Sequence, residues 1–255
     1  MSRRLQLARV PRFFVQPPGS LQPSGSQQLS PLQQQHASKT LRLKAGAALR
    51  LFDGASGEWA AVLQPGGTAL VSGGRLRPPA PEPGPLLLFA STKATVDTVV
   101  RSATELGVAE MRPIQSERGV VRHTARSSER RRAIAVSAAE QSNRLTVPEL
   151  RDPLPLGEAV AAAREGRRRL FVYCDVARSG VPQYPLLRLP ELQAGRNKAR
   201  DVVLLVGPEG GWSSSEREGF SASDDFVCAS LGGNVLRSPT AAIAALALLM
   251  ALAEQ

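Results

Sequence analysis

The sequence predicts an α/β protein in two unequal parts, a small β-rich front and a larger back built on a parallel sheet. Between residues 47 and 71 short apolar runs alternate with turn-forming residues, which is the signature of β-hairpins. From Gly73 to Pro85 the chain is dense in Gly and Pro, whose fixed φ and missing donors halt regular structure, so the boundary belongs there. Beyond it, near-continuous apolar runs alternate with helical periodicity, as in a sheet covered on both faces. The expected domains are residues 1–77, a small β-barrel, and residues 84–255, the α/β part.

In the front part, Phe13-Phe14-Val15 is followed by residues 16–35, rich in Gln, Ser and Pro, which predict a loop. Strands are expected at 47–52 and 58–63, joined by Asp53-Gly54-Ala55-Ser56-Gly57, and again at 68–71 after Pro65-Gly66-Gly67. In the back part, residues 86–90 form a strand. A helix follows from about residue 93, with Val96, Val99, Val100, Ala103 and Leu106 on one stripe and Gly107 as its stop. A second helix spans 128–141 through Arg130-Arg131-Arg132, and further strands fall at 170–174, 202–206 and 226–231. The last helix starts with Ser238 as N-cap and Pro239 at its first position. It carries no charge before Glu254, so it must be buried in its own core or against another subunit.

Lys and Arg total 32 against 22 Asp and Glu, a net charge of +10 over 255 residues. No acidic residue precedes Asp53, whereas Arg12, Lys39, Arg42 and Lys44 do, and such a front can replace phosphate counterions. No apolar run reaches the roughly eighteen residues of a membrane helix. The Arg-rich start lacks the apolar core of a signal peptide, so the expected location is the cytoplasm, with a short organelle address as the alternative. Cys174 and Cys228 form no ligand cluster, and neither a metal nor a disulfide is indicated.

The sharpest local signal is the run from Leu204 to Glu216, where an apolar strand containing Leu205 ends in Gly207-Pro208-Glu209-Gly210-Gly211. Its glycines let backbone approach a ligand, and Ser213 with Glu216 forms a capping box that opens a helix. The carboxyl end of a parallel strand is where α/β proteins bind ligands. A plain tight connection is an equally open reading of this turn. It lacks the Lys-Ser/Thr of a P-loop and the G-x-G-x-x-G of a dinucleotide fold. A second loop, Leu231-Gly232-Gly233-Asn234-Val235-Leu236-Arg237-Ser238-Pro239-Thr240, follows the strand at 226–231.

Taken together, these two loops resemble the glycine-rich and Leu-Arg-Thr-rich loops of the SPOUT ribosomal RNA uridine-N3 methyltransferases. Lys93 with Glu105-Leu106-Gly107-Val108, Ser116-Glu117-Arg118, Glu140-Gln141-Ser142-Asn143-Arg144 and Val147-Pro148-Glu149 extend the resemblance upstream. Pro11-Arg12-Phe13, His36 with Leu41-Arg42, and Phe52-Asp53-Gly54 extend it into the front. Asn234 stands where the family usually has arginine, and Pro239 where it has glutamate.

The resemblance implies a PUA-like β-barrel for RNA in front, and a knotted SPOUT methyltransferase domain behind that binds S-adenosyl-L-methionine (SAM) and pairs as a homodimer. It implies cofactor contacts from Leu205, Gly207, Pro208, Gly210, Gly211, Leu231, Gly232, Asn234, Val235, Leu236 and Thr240. Arg237 and Glu209 are the candidate catalytic residues, and Arg12, Lys39, Arg42, Lys93, Arg118 and Arg144 the candidate RNA contacts. No metal is required, and the implied partner is small-subunit ribosomal RNA or the assembled small subunit. Two alternatives stay open: a non-enzymatic RNA-binding or ribosome-assembly module, and a related enzyme acting on transfer RNA.

Overall fold

The structure is a computed structural model that describes residues 10–80, 82–90, 92, 94–119, 125–166, 168–176, 184–186 and 201–253. The chain divides into two compact units: residues 1–82 with 139–147, and residues 83–138 with 148–255. Residues 139–147, expected in the back domain, pack with the front unit.

The front unit holds a five-stranded sheet of β1 (Arg12–Phe14), β2 (Ser26–Gln28), β3 (Ala48–Phe52), β4 (Glu58–Leu63) and β5 (Thr68–Arg77), ordered β1-β3-β4-β5-β2. β1 runs parallel to β3, and the other pairings are antiparallel. Strand β5 continues through Gly73 and Gly74, where a break was expected. The β4–β5 register shifts at Trp59, and Gly73 adopts φ +87°, which a residue without Cβ accommodates. The expected loop at 16–35 contains β2 and a short helix, α1 (Pro31–Gln35), opened by a Ser30/Gln33 capping box. The Asp53 carboxylate organises the β3–β4 turn. Burial opposes its ionisation, but the Ser56, Ala55 and Leu21 amides and the Ser56 hydroxyl outweigh that and hold its pKa below the usual value.

Arg12 is buried in this unit. Its Nε meets Glu58 Oε1 at 2.5 Å, while Nη1 donates to the Ala139 and Glu140 carbonyls at 2.9 Å and Nη2 to that of Arg144 at 2.6 Å. Ala139 and Glu140 lie in the last turn of a helix whose final carbonyls have no intrahelical partner, so a cation from far along the chain caps it. Asn143, at φ +60°, turns the chain there. Arg144 is likewise buried, bonded to Glu82 and to Thr146 Oγ1. The guanidinium groups of Arg12 and Arg144, both candidate RNA contacts in the sequence, are buried and bonded within this unit. Lys93 lies outside the described residues.

The back unit is an eight-stranded sheet in which every pairing is parallel. Its strands are β6 (Leu86–Phe89), β7 (Glu110–Gln115), β8 (Glu149–Leu150), β9 (Leu154–Pro155), β10 (Leu170–Cys174), β11 (Tyr184–Pro185), β12 (Val202–Val206) and β13 (Phe226–Ser230). The order is β11-β13-β10-β12-β6-β7-β8, with β9 also on β7. Both late strands enter the interior: β12 lies between β6 and β10, and β13 between β10 and β11. Among the described residues the helices are α2 (Val96–Glu105), α3 (Ala125–Gln141), α4 (Leu156–Arg164), α5 (Ser214–Ser221) and α6 (Ser238–Ala253).

Helix α6 packs on α2 and β12 through one stripe, Ser238, Ala242, Ala245, Leu246 and Leu249. Its other apolar residues do not all follow: Ile243, Leu248 and Met250 are half-buried, and Ala247 and Ala251 exposed. Leu249, expected at a subunit contact, is core of its own chain. The first residue of the helix is Ser238, so Arg237 is its cap residue, its carbonyl accepting from the Ala241 amide, and the Ser238 hydroxyl instead donates to the Ala90 carbonyl at 2.6 Å.

Replacing Arg12 with alanine leaves the buried Glu58 carboxylate with Arg50 at 3.5 Å and removes the donor from two helix-end carbonyls and from the Arg144 carbonyl just beyond them. Breaking a buried ion pair by deleting one partner typically destabilises by about 3–5 kcal/mol. Arg12→Ala is expected to lower the unfolding free energy by that amount in a urea titration, and an unchanged midpoint would remove the cap from the stability of this unit.

Candidate active site

The parallel sheet sends β10, β12 and β13 to the same edge, and the loops after them enclose a cavity of about 350 Å³. That lies within the roughly 300–1,000 Å³ of small-molecule sites. Gly207, Pro208, Glu209, Gly210 and Gly211 form one wall and Leu231, Gly232, Asn234, Val235 and Leu236 the other, so the two loops singled out in the sequence meet. Leu205 and Thr240 are not in the lining: Leu205 is fully buried in the sheet core, and Thr240 is exposed on α6. Arg237 is exposed between two lining residues, Leu236 and Ser238, and does not itself line the cavity.

The glycines of the first loop serve different ends. At Gly207 a Cβ would lie 3.0–3.2 Å from the buried Trp212 indole, so the strand end is pressed flat on that ring. At Gly210 a Cβ would come to 3.3 Å from the Arg118 Cβ. Gly211 adopts φ +66°, which reverses the chain just before α5. Helix α5 opens with the expected capping box, Ser213 Oγ accepting the Glu216 amide and Glu216 Oε2 accepting the Ser213 amide.

The segment Ser116-Glu117-Arg118 braces this loop. Arg118 Nη1 donates to the Gly210 carbonyl at 3.0 Å, Glu117 Oε1 accepts Ser215 Oγ at 2.6 Å, and the Glu117 amide donates to Glu216 Oε1 at 2.9 Å. The Ser215 and Ser213 hydroxyls hold the Glu117 carboxyl below its usual pKa. On the residues the structure describes, Arg118 is a loop contact; Lys39 and Arg42 are exposed in the front unit.

Cys174, Asp175, Val176, Trp212, Gly233, Arg217, Ser238 and Ala241 also line the cavity and were not among the expected cofactor contacts. The end of β10 follows the same rule as the end of β12, so Cys174 and Asp175 were findable once the two strands were taken as neighbours. Trp212 packs edge-on to Phe220 and donates from Nε1 to the Cys174 carbonyl at 2.9 Å, which ties the loop to β10. Burial pushes the Cys174 thiol up to about 12, so it stays protonated and is no nucleophile at neutral pH. Among the described residues, no three His, Cys, Asp or Glu side chains cluster to hold a metal ion.

The site can hold a molecule with an extended apolar surface, between the exposed Val176 and Val235 at its mouth, and bring it against close-lying backbone at the glycine turn. Because the Trp212 ring is held on several sides, Gly207→Ala forces an overpacked contact of a kind that costs roughly 1–3 kcal/mol. The expected result is a lower unfolding midpoint together with quenching or shift of the Trp212 fluorescence, and wild-type values for both would show that the ring can yield.

Residues 81–250 match the model of a family described as an RNA methyltransferase domain. The ribosomal RNA small subunit methyltransferase E of Synechocystis sp. is 31% identical over 229 residues, 89% of this chain and 73% of that protein. The structure of a ribosomal RNA small subunit methyltransferase E from Neisseria gonorrhoeae, bound to S-adenosyl methionine, aligns at TM-score 0.79 and 28% identity over 96% of this chain and 98% of its own. A Legionella pneumophila protein in complex with the cofactor SAM aligns at TM-score 0.75 and 31% identity over 95% and 98%. With its glycine turn and second loop closing one cavity at the sheet edge, this chain belongs to the RNA methyltransferase family, of the ribosomal RNA small subunit methyltransferase E type.

Proposed function

We propose that this chain methylates N3 of a uridine in small-subunit ribosomal RNA, with SAM as donor. One observation carries the reading: the loops at 207–211 and 231–236 converge on a single cavity at the carboxyl edge of a parallel sheet. Its residues fit the cofactor, since glycines admit it to the backbone, Leu231, Val235 and Leu236 offer apolar walls, and Glu209 places a carboxylate on the lining of a site for a cation. SAM supplies an electrophilic methyl group on a positively charged sulfonium.

The chain's part in the reaction is positioning and charge. Holding uridine N3 in line with the methyl group contributes up to roughly 7–11 kcal/mol of the acceleration. The N3 proton has to leave, and Glu209, exposed on the cavity wall, is the carboxylate assigned to take it. Negative charge then spreads to the ring carbonyls, and the guanidinium of Arg237, exposed just before α6 and between two lining residues, is the cation assigned to stabilise it. Pro239 has no side chain to ionise, so no acid is assigned at that position.

The front unit is a PUA-like barrel that holds the RNA through exposed Lys39, Arg42 and Lys44, and Arg118 adds an RNA contact beside the cavity. The entry of β12 and β13 into the sheet interior supports a trefoil knot in the back unit. The half-buried apolar residues Ile243, Leu248 and Met250 of α6 support a homodimer, because a lone subunit would leave them against water. The enzyme acts in the cytoplasm, where small subunits are assembled. Turnover rather than passive RNA binding is favoured because the cofactor cavity is formed, and ribosomal rather than transfer RNA because of the relatives' shared substrate name.

Incubated with SAM and unmodified small-subunit ribosomal RNA or small subunits, the purified chain is expected to produce 3-methyluridine, read by mass spectrometry of digested nucleosides. A methyl group on another atom, or none on either substrate, would overturn the assignment. The double variant Lys39→Ala/Arg42→Ala is expected to leave SAM affinity unchanged and to lower the slope of log RNA affinity against log salt by roughly one unit for each phosphate no longer neutralised. An unaltered slope would take these two cations out of the RNA interface.

A further inference from the structure

Asp175 directly follows β10, and Arg217 lies within the first turn and a half of α5; both line the cavity. Arg217 Nε donates to Asp175 Oδ2 at 2.6 Å and Nη2 to Oδ1 at 3.1 Å, a two-pronged pair. Its remaining nitrogen, Nη1, donates to the carbonyl of Trp212 and, at 3.3 Å, to that of Ser213. Asp175 is fixed from its own side as well, since Oδ1 accepts the Val176 amide at 2.9 Å. The side chains are 15% and 6% exposed, so solvent screens the pair weakly. One guanidinium thus joins the end of β10 to the end of the glycine-rich loop, beside the Trp212 Nε1 bond to the Cys174 carbonyl.

We propose that Arg217 is a positioning residue for the methyl donor: through Asp175 and the carbonyls of Trp212 and Ser213 it sets the width of the cavity and balances the Asp175 carboxylate in its wall. This rests on the cavity being the SAM site. Neither side chain takes part in bond making. Lysine cannot replace arginine here, because a single ammonium cannot span both carboxylate oxygens and the two carbonyls at once.

The charge balance gives a signature that a purely structural role would not produce. SAM carries a positive sulfonium, whereas its demethylated product S-adenosylhomocysteine carries a neutral thioether. Arg217→Ala leaves a bare carboxylate in the wall and favours the cation, while Asp175→Asn leaves a bare guanidinium and disfavours it.

Calorimetry of the full chain with SAM and with S-adenosylhomocysteine tests this. Loss of a charge-assisted pair is expected to weaken both ligands roughly tenfold in either variant. The preference for SAM over its product should rise roughly threefold in Arg217→Ala and fall roughly threefold in Asp175→Asn. Arg217→Lys, which keeps the charge, should weaken both ligands and leave the preference unchanged, and it serves if the alanine variant does not fold. Amides of residues 209–213 should exchange hydrogen faster in all three, with cooperative melting retained. Folded variants that bind both ligands as the parent does, or preferences that move in the same direction, would overturn the proposal. A parent chain that binds neither ligand would instead overturn the assignment of the cavity to SAM.

Discussion

A parallel sheet has a single carboxyl edge, and the geometry of the site follows from that. Because β10, β12 and β13 are neighbours and run the same way, their outgoing loops are delivered side by side, and a cavity forms between them without any loop having to reach across the molecule. Had β13 joined the far edge of the sheet, the second loop would emerge several strand spacings of about 4.8 Å away from β10. Interior placement of the last strand therefore matters more to function than any one residue on it.

The loop at 207–213 is held from three directions at once. Trp212 anchors it below through the buried indole, Arg217 and Asp175 hold it to β10, and Arg118, Glu117 and Ser215 hold it to the segment after β7. These bonds lie within one unit of the chain, so the shape of the site is fixed by the chain's own side chains. Such preorganisation favours a reaction whose acceleration depends on alignment and fixed charge.

In the front unit the charges are spent inward. A polar network of Arg12, Glu58, Arg50, Glu82, Glu140 and Arg144 lies against apolar core, and it is tolerable because its donors meet carboxylates, backbone carbonyls or a hydroxyl. Burial raises the pKa of Glu140 despite its bonds from the Phe14 amide and Gln33. A carboxyl raised in the folded state contributes stability below its unfolded pKa that is lost as pH rises through the folded one. The basic composition of the front half thus divides between cations that face solvent, such as Lys39 and Arg42, and cations that hold the fold, such as Arg12 and Arg50.

Local patterning and turn chemistry act over a few residues, and they sufficed for the strands at 170–174 and 202–206 and the capping box at Ser213 and Glu216. They could not separate Arg12 and Arg144 from the exposed arginines, since nothing in a basic side chain's neighbours reveals a carbonyl 132 residues away waiting for a donor. Asp175, Arg217 and Trp212 escaped as a group for the same reason: their partnership depends on β10 and β12 being adjacent, and strand order is a property of the whole sheet. Which side chains reach water, which strands are neighbours and which charges meet are fixed only in the folded chain, because burial and pairing are set by residues distant in sequence that local pattern does not record.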